Sequence, residues 1–239
     1  MRQKQAHVAL HLASVVCCGC LLAGCDQAGK ATSETDSRGA AKAASRQEQN
    51  TAQEPMPSSP PIVSAARAQV GKTMIYDPSY IRLHYPGGDV PIERGVCSDV
   101  VVRALRDALG MDLQKLVHED MRAAFPEYPK IWGLKSPDPN IDHRRVPNLQ
   151  RYFERKGYSL PVTKEKRDFL PGDLVTCTVP PSRPHIMVVS DRRSSDGIPL
   201  VIHNVGSGTK EENRLLDFPL TGHYRIGTDG SSKRIERDR

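Results

Sequence analysis

The chain of 239 residues has few aromatic side chains and one tryptophan. Aromatics make up 5% of the residues, and the positive charges that give a formal net charge of +6 are scattered rather than clustered. Nucleic-acid-binding surfaces usually combine a basic stripe with stacking aromatics, so this composition argues against nucleic acid as a partner. The positive charge still favours contact with anionic surfaces such as phospholipid or cell-wall polymer.

Metal-binding motifs are also scarce in the chain. His118-Glu119 lacks the second histidine that lies four residues after the first in zinc peptidases. A zinc site built from His143, His185 and His203 would need three separated residues to converge, because no other close pair of ligands occurs. The sequence therefore predicts no metal site and no other cofactor.

Residues 1–25 have the pattern of an export signal. They begin with basic residues, continue with an almost uncharged apolar stretch and end in LAGC at Cys25. The apolar stretch is shorter than the roughly 20 residues that cross a bilayer, so an export signal is favoured over a membrane span. LAGC resembles the lipobox of bacterial lipoproteins, in which the cysteine is lipidated and becomes the mature N-terminus. The alternative is an ordinary signal segment that happens to contain cysteines.

Processing at Cys25 would place the protein in the cell envelope, anchored by lipid and facing the periplasm. Asp26 resembles an inner-membrane retention signal, so the inner membrane is favoured over the outer one. Only Cys97 and Cys177 would then remain as thiols in the exported part. An oxidising compartment permits a disulfide between them, which is one alternative for both residues.

Polar segments flank the predicted folded domain at residues 62–227. Residues 26–61 are rich in Ala, Ser, Gln, Glu, Thr and Pro and have almost no large apolar side chain, so we expect a flexible linker. Residues 228–239 form an equally polar tail.

The domain is predicted to be α+β, with N-terminal helices packed on an antiparallel β-sheet. Apolar periodicity and capping residues predict helices over 62–70, 99–109, 112–125 and 147–156. Short β-branched runs predict strands over 173–179, 185–190, 199–205 and 222–226. Both faces of these strands carry apolar residues, so we expect the sheet to be covered on both sides.

Cys97 lies in GVCSDVV, at the predicted start of the second helix. A helix N-terminus or a neighbouring imidazolium lowers the pKa of a thiol, so this position suits a nucleophile. Cys177 lies in the middle of a predicted strand, where a small, buried and inert thiol is the ordinary explanation.

Histidines at the predicted strands are candidates for the base. His185 opens the strand HIMVV, although a lone histidine in an apolar strand is usually a structural residue. His203 and Asn204 lie together in the next strand, and strand alternation allows only one of them to share a face with His185.

The order of these motifs resembles the NlpC-type papain-like cell-wall peptidases. GVCSDVV, PGDLV, HIMVV and VIHNVG occur in the order in which those enzymes carry the cysteine helix and the following strands. YPGGDVP, NIDHRRVPNL and TGHYRI also resemble the bacterial family of domain of unknown function 1287, placed in the same superfamily. The resemblance spans residues 65–226 and implies a papain-like fold.

The resemblance implies a role for each matching residue. Cys97 would be the nucleophile, His185 the base and then the acid, and His203 the residue that orients His185, with Asn204 as the alternative in that third role. Tyr76 would lie near the substrate. The implied activity is that of a cysteine hydrolase that cleaves an amide bond in peptidoglycan. With the lipid anchor expected at Cys25, the enzyme would be attached to the membrane, and we expect a monomer.

The chain departs from the peptidase pattern in two places. Val96 stands where those enzymes have the aspartate that precedes the cysteine, and Asp99 follows two residues after the cysteine instead. The second departure is the segment NIDHRRVPNL. Its residues Asp142 and Arg144, together with His143 and Arg145, are candidates for a clamp that binds a substrate carboxylate. The alternative is a loop that caps the next helix and exposes its charges to solvent.

Two other activities fit the same motifs. A catalytically inactive module would keep the cleft and bind cell-wall peptides without turnover. An acyltransferase or lipid deacylase would use the same cysteine on a different acyl group. Loss of activity on substitution of Cys97 separates the enzymes from the binding module.

Overall fold

The computed structural model describes residues 59–227. Four helices occur in this part of the chain: Pro61–Arg67 (α1), Cys97–Leu109 (α2), Leu113–Ala124 (α3) and Val146–Arg155 (α4). None of the helices in residues 59–227 has the length and apolar character of a membrane span. The predicted signal peptide with Cys25, nearly all of the linker and the polar tail at 228–239 lie outside the described residues.

Six strands form an antiparallel sheet in the order β3-β8-β4-β5-β6-β7. The strands are Ser159–Leu160 (β3), Leu174–Val179 (β4), Arg183–Arg193 (β5), Pro199–Asn204 (β6), Thr209–Glu212 (β7) and Leu220–Tyr224 (β8). A separate parallel pair joins Ile75–Tyr76 (β1) to Arg94–Gly95 (β2). The predicted α+β class, with helices and an antiparallel sheet, is confirmed.

Helix ends follow the capping residues, with small differences from the predicted bounds. Gly110 closes α2 in the left-handed conformation at φ +66°, as its position after the apolar stripe predicts. Asp112 caps α3 by accepting a hydrogen bond from the backbone N–H of Gln114 at 3.1 Å. Helix α1 starts at Pro61, one residue before the predicted domain boundary, and ends at Arg67 rather than at residue 70.

Apolar side chains cover both faces of the sheet, as expected. On one face α1, α2 and α4 pack over Leu174, Ile186, Val188 and Ile202. On the opposite face the strands pack against loop residues, including Phe169 and Leu215. Every residue of α2 from Cys97 to Leu105 is buried, so this helix is held rigidly between the sheet and its neighbours.

Candidate active site

Cys97 is the first residue of α2 and lies in the wall of a cleft. Val96 precedes the helix in an extended conformation, and Asp99 Oδ2 accepts a hydrogen bond from the Val96 backbone N–H at 2.7 Å. This interaction uses an N-terminal donor of the helix and fixes the turn that presents the cysteine. The cleft has a volume of about 580 Å³, and only 4% of the Cys97 surface is exposed to solvent.

The environment of the Cys97 thiol favours its neutral form. Burial raises the pKa of Cys97 to about 11, and the negative charge of Asp99 adds to that increase. The backbone N–H groups of Ile186, Ser98 and Cys97 oppose it by hydrogen bonding to the sulfur. The sequence predicted a lowered pKa from the helix N-terminus. Burial outweighs that effect, so the expectation of a lowered thiol pKa is corrected.

His185, His203 and Glu212 form a continuous series of hydrogen bonds. His185 Nε2 lies 2.8 Å from His203 Nδ1, and His203 Nε2 lies 3.0 Å from Glu212 Oε1. Both histidines are buried, with 3% and 0% of their surfaces exposed. Glu212 has no counterpart in the sequence prediction, because a glutamate in the charged segment TKEE of β7 carries no signal of its own.

The carboxylate at one end of this series sets the position of each proton. A carboxylate can only accept, so His203 carries its proton on Nε2 and its Nδ1 is an acceptor. His185 must then donate from Nε2, which leaves its Nδ1 with a free lone pair. Burial, together with the nearby His203, Arg214 and Arg183, lowers the pKa of His185 to about 3. The imidazole is therefore neutral at pH 7 and able to accept a proton.

The start of α2 lies where β5 and β6 separate. These strands pair from Val188 opposite Ile202 onward, so the ends that carry His185 and Asn204 lie beyond the paired section. The Ile186 backbone N–H reaches the Cys97 sulfur at this opening. His185 directly precedes Ile186. Among residues 59–227 no hydrogen bond joins the Cys97 thiol to an imidazole, and backbone groups supply its polar contacts.

Asn204 holds the segment before the cysteine rather than a histidine. Its Nδ2 donates to the backbone carbonyl of Gly95 at 3.0 Å, and strand alternation places it on the opposite face from His203. Of the two candidates for the third role, His203 is the one that contacts His185.

Asp99 and Arg144 form a buried ion pair beneath the cysteine. Arg144 Nε lies 2.9 Å from Asp99 Oδ1, and Arg144 Nη2 lies 3.0 Å from Asp99 Oδ2. The remaining guanidinium nitrogen donates to the carbonyl of Ser79, and Nη2 also reaches the carbonyl of Asp77. The carboxylate that Arg144 binds thus belongs to the same chain, which corrects the predicted clamp on a substrate.

Tyr76 lies in the same cleft, as the resemblance implies. The parallel pairing of β1 with β2 places Tyr76 opposite Gly95, two residues before the cysteine. Burial raises the pKa of Tyr76 to about 12, and the proximity of Cys97 contributes to the increase. The phenol is neutral at pH 7 and can donate a hydrogen bond into the cleft.

Asp142 is buried beneath the cleft and does not reach it directly. Its carboxylate accepts from the backbone N–H of Asp138 and from Arg145 Nη1, the latter at 3.3 Å. Burial raises the pKa of Asp142 to about 6. Arg145 lines the cleft and its guanidinium lies over the ring of Trp132, 4.3 Å from the centroid. Trp132 is a second site residue that the sequence alone does not indicate.

Neither a disulfide nor a metal cluster occurs in the described residues. Cys97 and Cys177 are both free and buried, and they belong to apolar clusters on opposite faces of the sheet. Within residues 59–227 there is no group of three His, Cys, Asp or Glu side chains suited to a metal. His143, one of the three residues considered for zinc, is near Arg106 and Asp112 at the junction of α2 and α3.

Comparison with known proteins identifies relatives of this arrangement. The family model described as "Domain of unknown function (DUF1287)" matches residues 63–226. The chain is 56% identical over 164 residues to "Uncharacterized protein YijF" of Escherichia coli (strain K12). That alignment covers 69% of this chain and 80% of the relative. The range matched by the family model includes the cleft and the strands that carry the histidines.

Proposed function

The chain belongs to the DUF1287 family, and we propose that it is a cysteine hydrolase of the bacterial cell envelope. Its substrate in this proposal is an amide bond of peptidoglycan, either within the stem peptide or between peptide and sugar. The observation that carries the proposal is the series from Glu212 through His203 to His185, the residue directly before Ile186, whose backbone N–H reaches the Cys97 sulfur in the wall of the cleft. Such a series is the means by which a base is held in one tautomer for nucleophilic catalysis.

In this proposal catalysis follows a general-base mechanism from a neutral resting state, because the Cys97 thiol and the His185 imidazole are both neutral at pH 7. His185 Nδ1 takes the thiol proton as the Cys97 sulfur attacks the carbonyl carbon of the amide. The imidazolium then returns that proton to the departing amine, which leaves a thioester on the cysteine. Water, deprotonated by the same nitrogen, hydrolyses the thioester and restores the thiol. His203 and Glu212 stabilise the positive charge that His185 carries between these steps.

The order of elements supports assignment to the NlpC-type papain-like fold. A cysteine at the start of a helix packs against an antiparallel sheet, a histidine lies near the start of β5, and a second histidine lies on the neighbouring β6. The same arrangement arises in unrelated folds by convergence, so the assignment is part of the proposal.

The N-terminal pattern supports a location at the membrane. A lipid on Cys25 would attach the protein to the periplasmic face of the inner membrane, and residues 26–60 would then connect the domain to the bilayer. Peptidoglycan lies within reach of a tethered domain of this kind. The domain would act as a monomer on a polymer substrate.

Release of soluble fragments from purified sacculi tests the proposal. Wild-type protein should release peptides or peptide-sugar fragments, and Cys97→Ala should abolish that release. Cys177→Ala is the thiol control, since it removes the buried cysteine that pairs with His185 across β4 and β5 and leaves Cys97 in place. Equal release by wild type and Cys97→Ala would overturn the proposal.

A catalytically inactive binding module is the second candidate. The observation in its favour is the pair of pKa values, because a thiol near 11 and an imidazole near 3 do not form a thiolate–imidazolium pair at pH 7. This candidate predicts that wild type and Cys97→Ala bind sacculi equally and that neither releases fragments. If instead an added amine is acylated in place of water, the enzyme is an acyltransferase on the same site.

A further inference from the structure

The cleft beside Cys97 is positively charged where it meets α4. Its lining contains Arg144 and Arg145, and no aspartate or glutamate is among the described residues that line it. Its volume of about 580 Å³ is within the range of sites that bind small ligands or short peptide segments. An anionic group would therefore be more favourable in this cleft than a cationic one.

The two arginines differ in the donors that they have available. All three nitrogens of Arg144 donate within the protein, to Asp99 and to backbone carbonyls. Arg145 makes one long bond, from Nη1 to Asp142 at 3.3 Å, and among residues 59–227 its Nε and Nη2 have no partner. Arg145 is thus the cation of this cleft with donors available for a ligand.

Trp132 holds the Arg145 guanidinium in place. The guanidinium carbon is 4.3 Å from the centre of the indole ring, a distance at which the ring face attracts a cation. Asp142 fixes one edge of the same group from below. A planar guanidinium held in this way presents two parallel N–H donors, which match the two oxygens of a carboxylate.

We propose that Arg145 and Trp132 form a binding site for a carboxylate on the substrate. The inference deepens the proposed function, because it assigns the class of substrate as a peptide with a free carboxylate near the amide bond that is cleaved. Arg145 would then determine specificity, and Arg144 would hold the fold of the site. The sequence favoured Arg144 for binding a substrate carboxylate, and the structure assigns this role to its neighbour Arg145.

The single tryptophan of the chain gives a direct measure of binding. The full chain with Cys97→Ala is titrated with acetyl-Ala-Glu-amide and, separately, with acetyl-Ala-Gln-amide, which has the same shape without the charge. The fluorescence of Trp132 and its indole N–H resonance are followed at each concentration. The acid should bind at least tenfold more tightly than the amide.

Arginine variants assign the effect to one side chain. Arg145→Gln should abolish the preference for the acid, and Arg145→Lys should retain part of it through charge alone. Arg192→Gln is the control, because Arg192 lies at the opposite end of β5 from His185 and pairs with Glu211. Thermal unfolding of each variant verifies that it is folded.

Three results would overturn the inference. They are equal binding of the two peptides, no response to either at millimolar concentrations, and a preference that persists in Arg145→Gln. The binding experiment needs no turnover, so it is independent of the sacculus assay. A carboxylate preference without hydrolysis would leave this site in place and remove the proposed enzyme activity.

Discussion

His185 Nε2 and His203 Nδ1 are joined by a hydrogen bond of 2.8 Å, and their rings meet nearly edge to face at 69°. The bond crosses from β5 to β6 just beyond the last paired residues of these strands. It determines which nitrogen of His185 is free, because the ring can donate only from Nε2 when His203 is held by Glu212. The orientation of the proposed base therefore depends on a residue two strands away.

Glu212 is predicted to act as a positioning residue for this pair. Glu212→Ala should lower kcat by about tenfold to a hundredfold and leave KM unchanged. Without the carboxylate acceptor, the proton of His203 is no longer held on Nε2, so His203 no longer fixes the orientation of His185. Glu212→Gln keeps an acceptor without the charge and should lie between wild type and Glu212→Ala. The ¹⁵N shifts of His185 and His203 should report the altered tautomers.

Lys210→Gln is the control for the Glu212 variants, because it changes an exposed charge on the same short strand. A normal tautomer of His185 in Glu212→Ala, together with unchanged kcat, would contradict the positioning role.

The alkylation of Cys97 should be slow at neutral pH and should increase up to about pH 11. A thiolate is the reactive form, and burial raises the pKa of Cys97 above the value near 8.5 of a free thiol. The rate is measured by peptide mass spectrometry after timed treatment with iodoacetamide, which separates Cys97 from the other cysteines. Rapid alkylation at pH 6 would show an ion pair instead of a neutral site.

Acid should destabilise the domain between about pH 6.5 and pH 3. Burial lowers the pKa of His143 to about 4 and that of His185 to about 3, so the unfolded chain binds more protons in this interval. The stability that these groups contribute is present above pH 6.5 and is lost as the pH falls through their folded pKa values, by about 3 kcal/mol for His143 and about 5 kcal/mol for His185. Urea unfolding at pH 7, 5 and 4 measures the change.

Asp142 should make the domain more stable in acid than at neutral pH, which is the opposite of the effect of the two histidines. Burial raises its pKa to about 6, so its contribution is lost as the pH rises from near 4 to 6. Asp142→Asn should therefore steepen the loss of stability in acid, whereas His143→Gln should reduce it. A pH profile that neither substitution changes would contradict these assignments.

Arg144 is predicted to stabilise the fold rather than to bind substrate. Arg144→Met leaves Asp99 as an unpaired buried charge and should cost about 3–5 kcal/mol of unfolding free energy. The double variant with Asp99→Asn should recover much of that loss. As a control, Arg151→Met breaks a partly exposed pair with Glu127 and should cost about 1 kcal/mol or less. Equal losses in the two arginine variants would contradict the prediction.

The sequence predicted most of the helices because their signals are local. Apolar periodicity and Gly110 mark α2, and Asp112 marks the start of α3. The strand β7 was not predicted, because TKEE has neither β-branched residues beyond its threonine nor an apolar alternation. Its register against β6 places Glu212 near His203, and such pairing depends on the whole hairpin rather than on the segment.

The site was predicted only in part, because local sequence signals identify some of its residues and the contacts between distant segments decide the others. Cys97, His185 and His203 carry chemically distinctive side chains in an order that resembles a known arrangement. The choice between Arg144 and Arg145 depends on which of two adjacent side chains meets Asp99, and adjacent residues of the 3₁₀ turn and helix start point in different directions. The thiol pKa likewise depends on burial by residues distant in sequence.

The most direct test of the central claim is the mass of the products from muropeptides of defined structure. Wild-type protein should convert one muropeptide into two fragments whose summed mass exceeds the substrate by one water, which identifies a hydrolysed amide. Cys97→Ala and His185→Ala should leave the substrate intact, while Cys177→Ala should match wild type. Cleavage by Cys97→Ala at the wild-type rate, or intact substrate with every protein, would contradict the account.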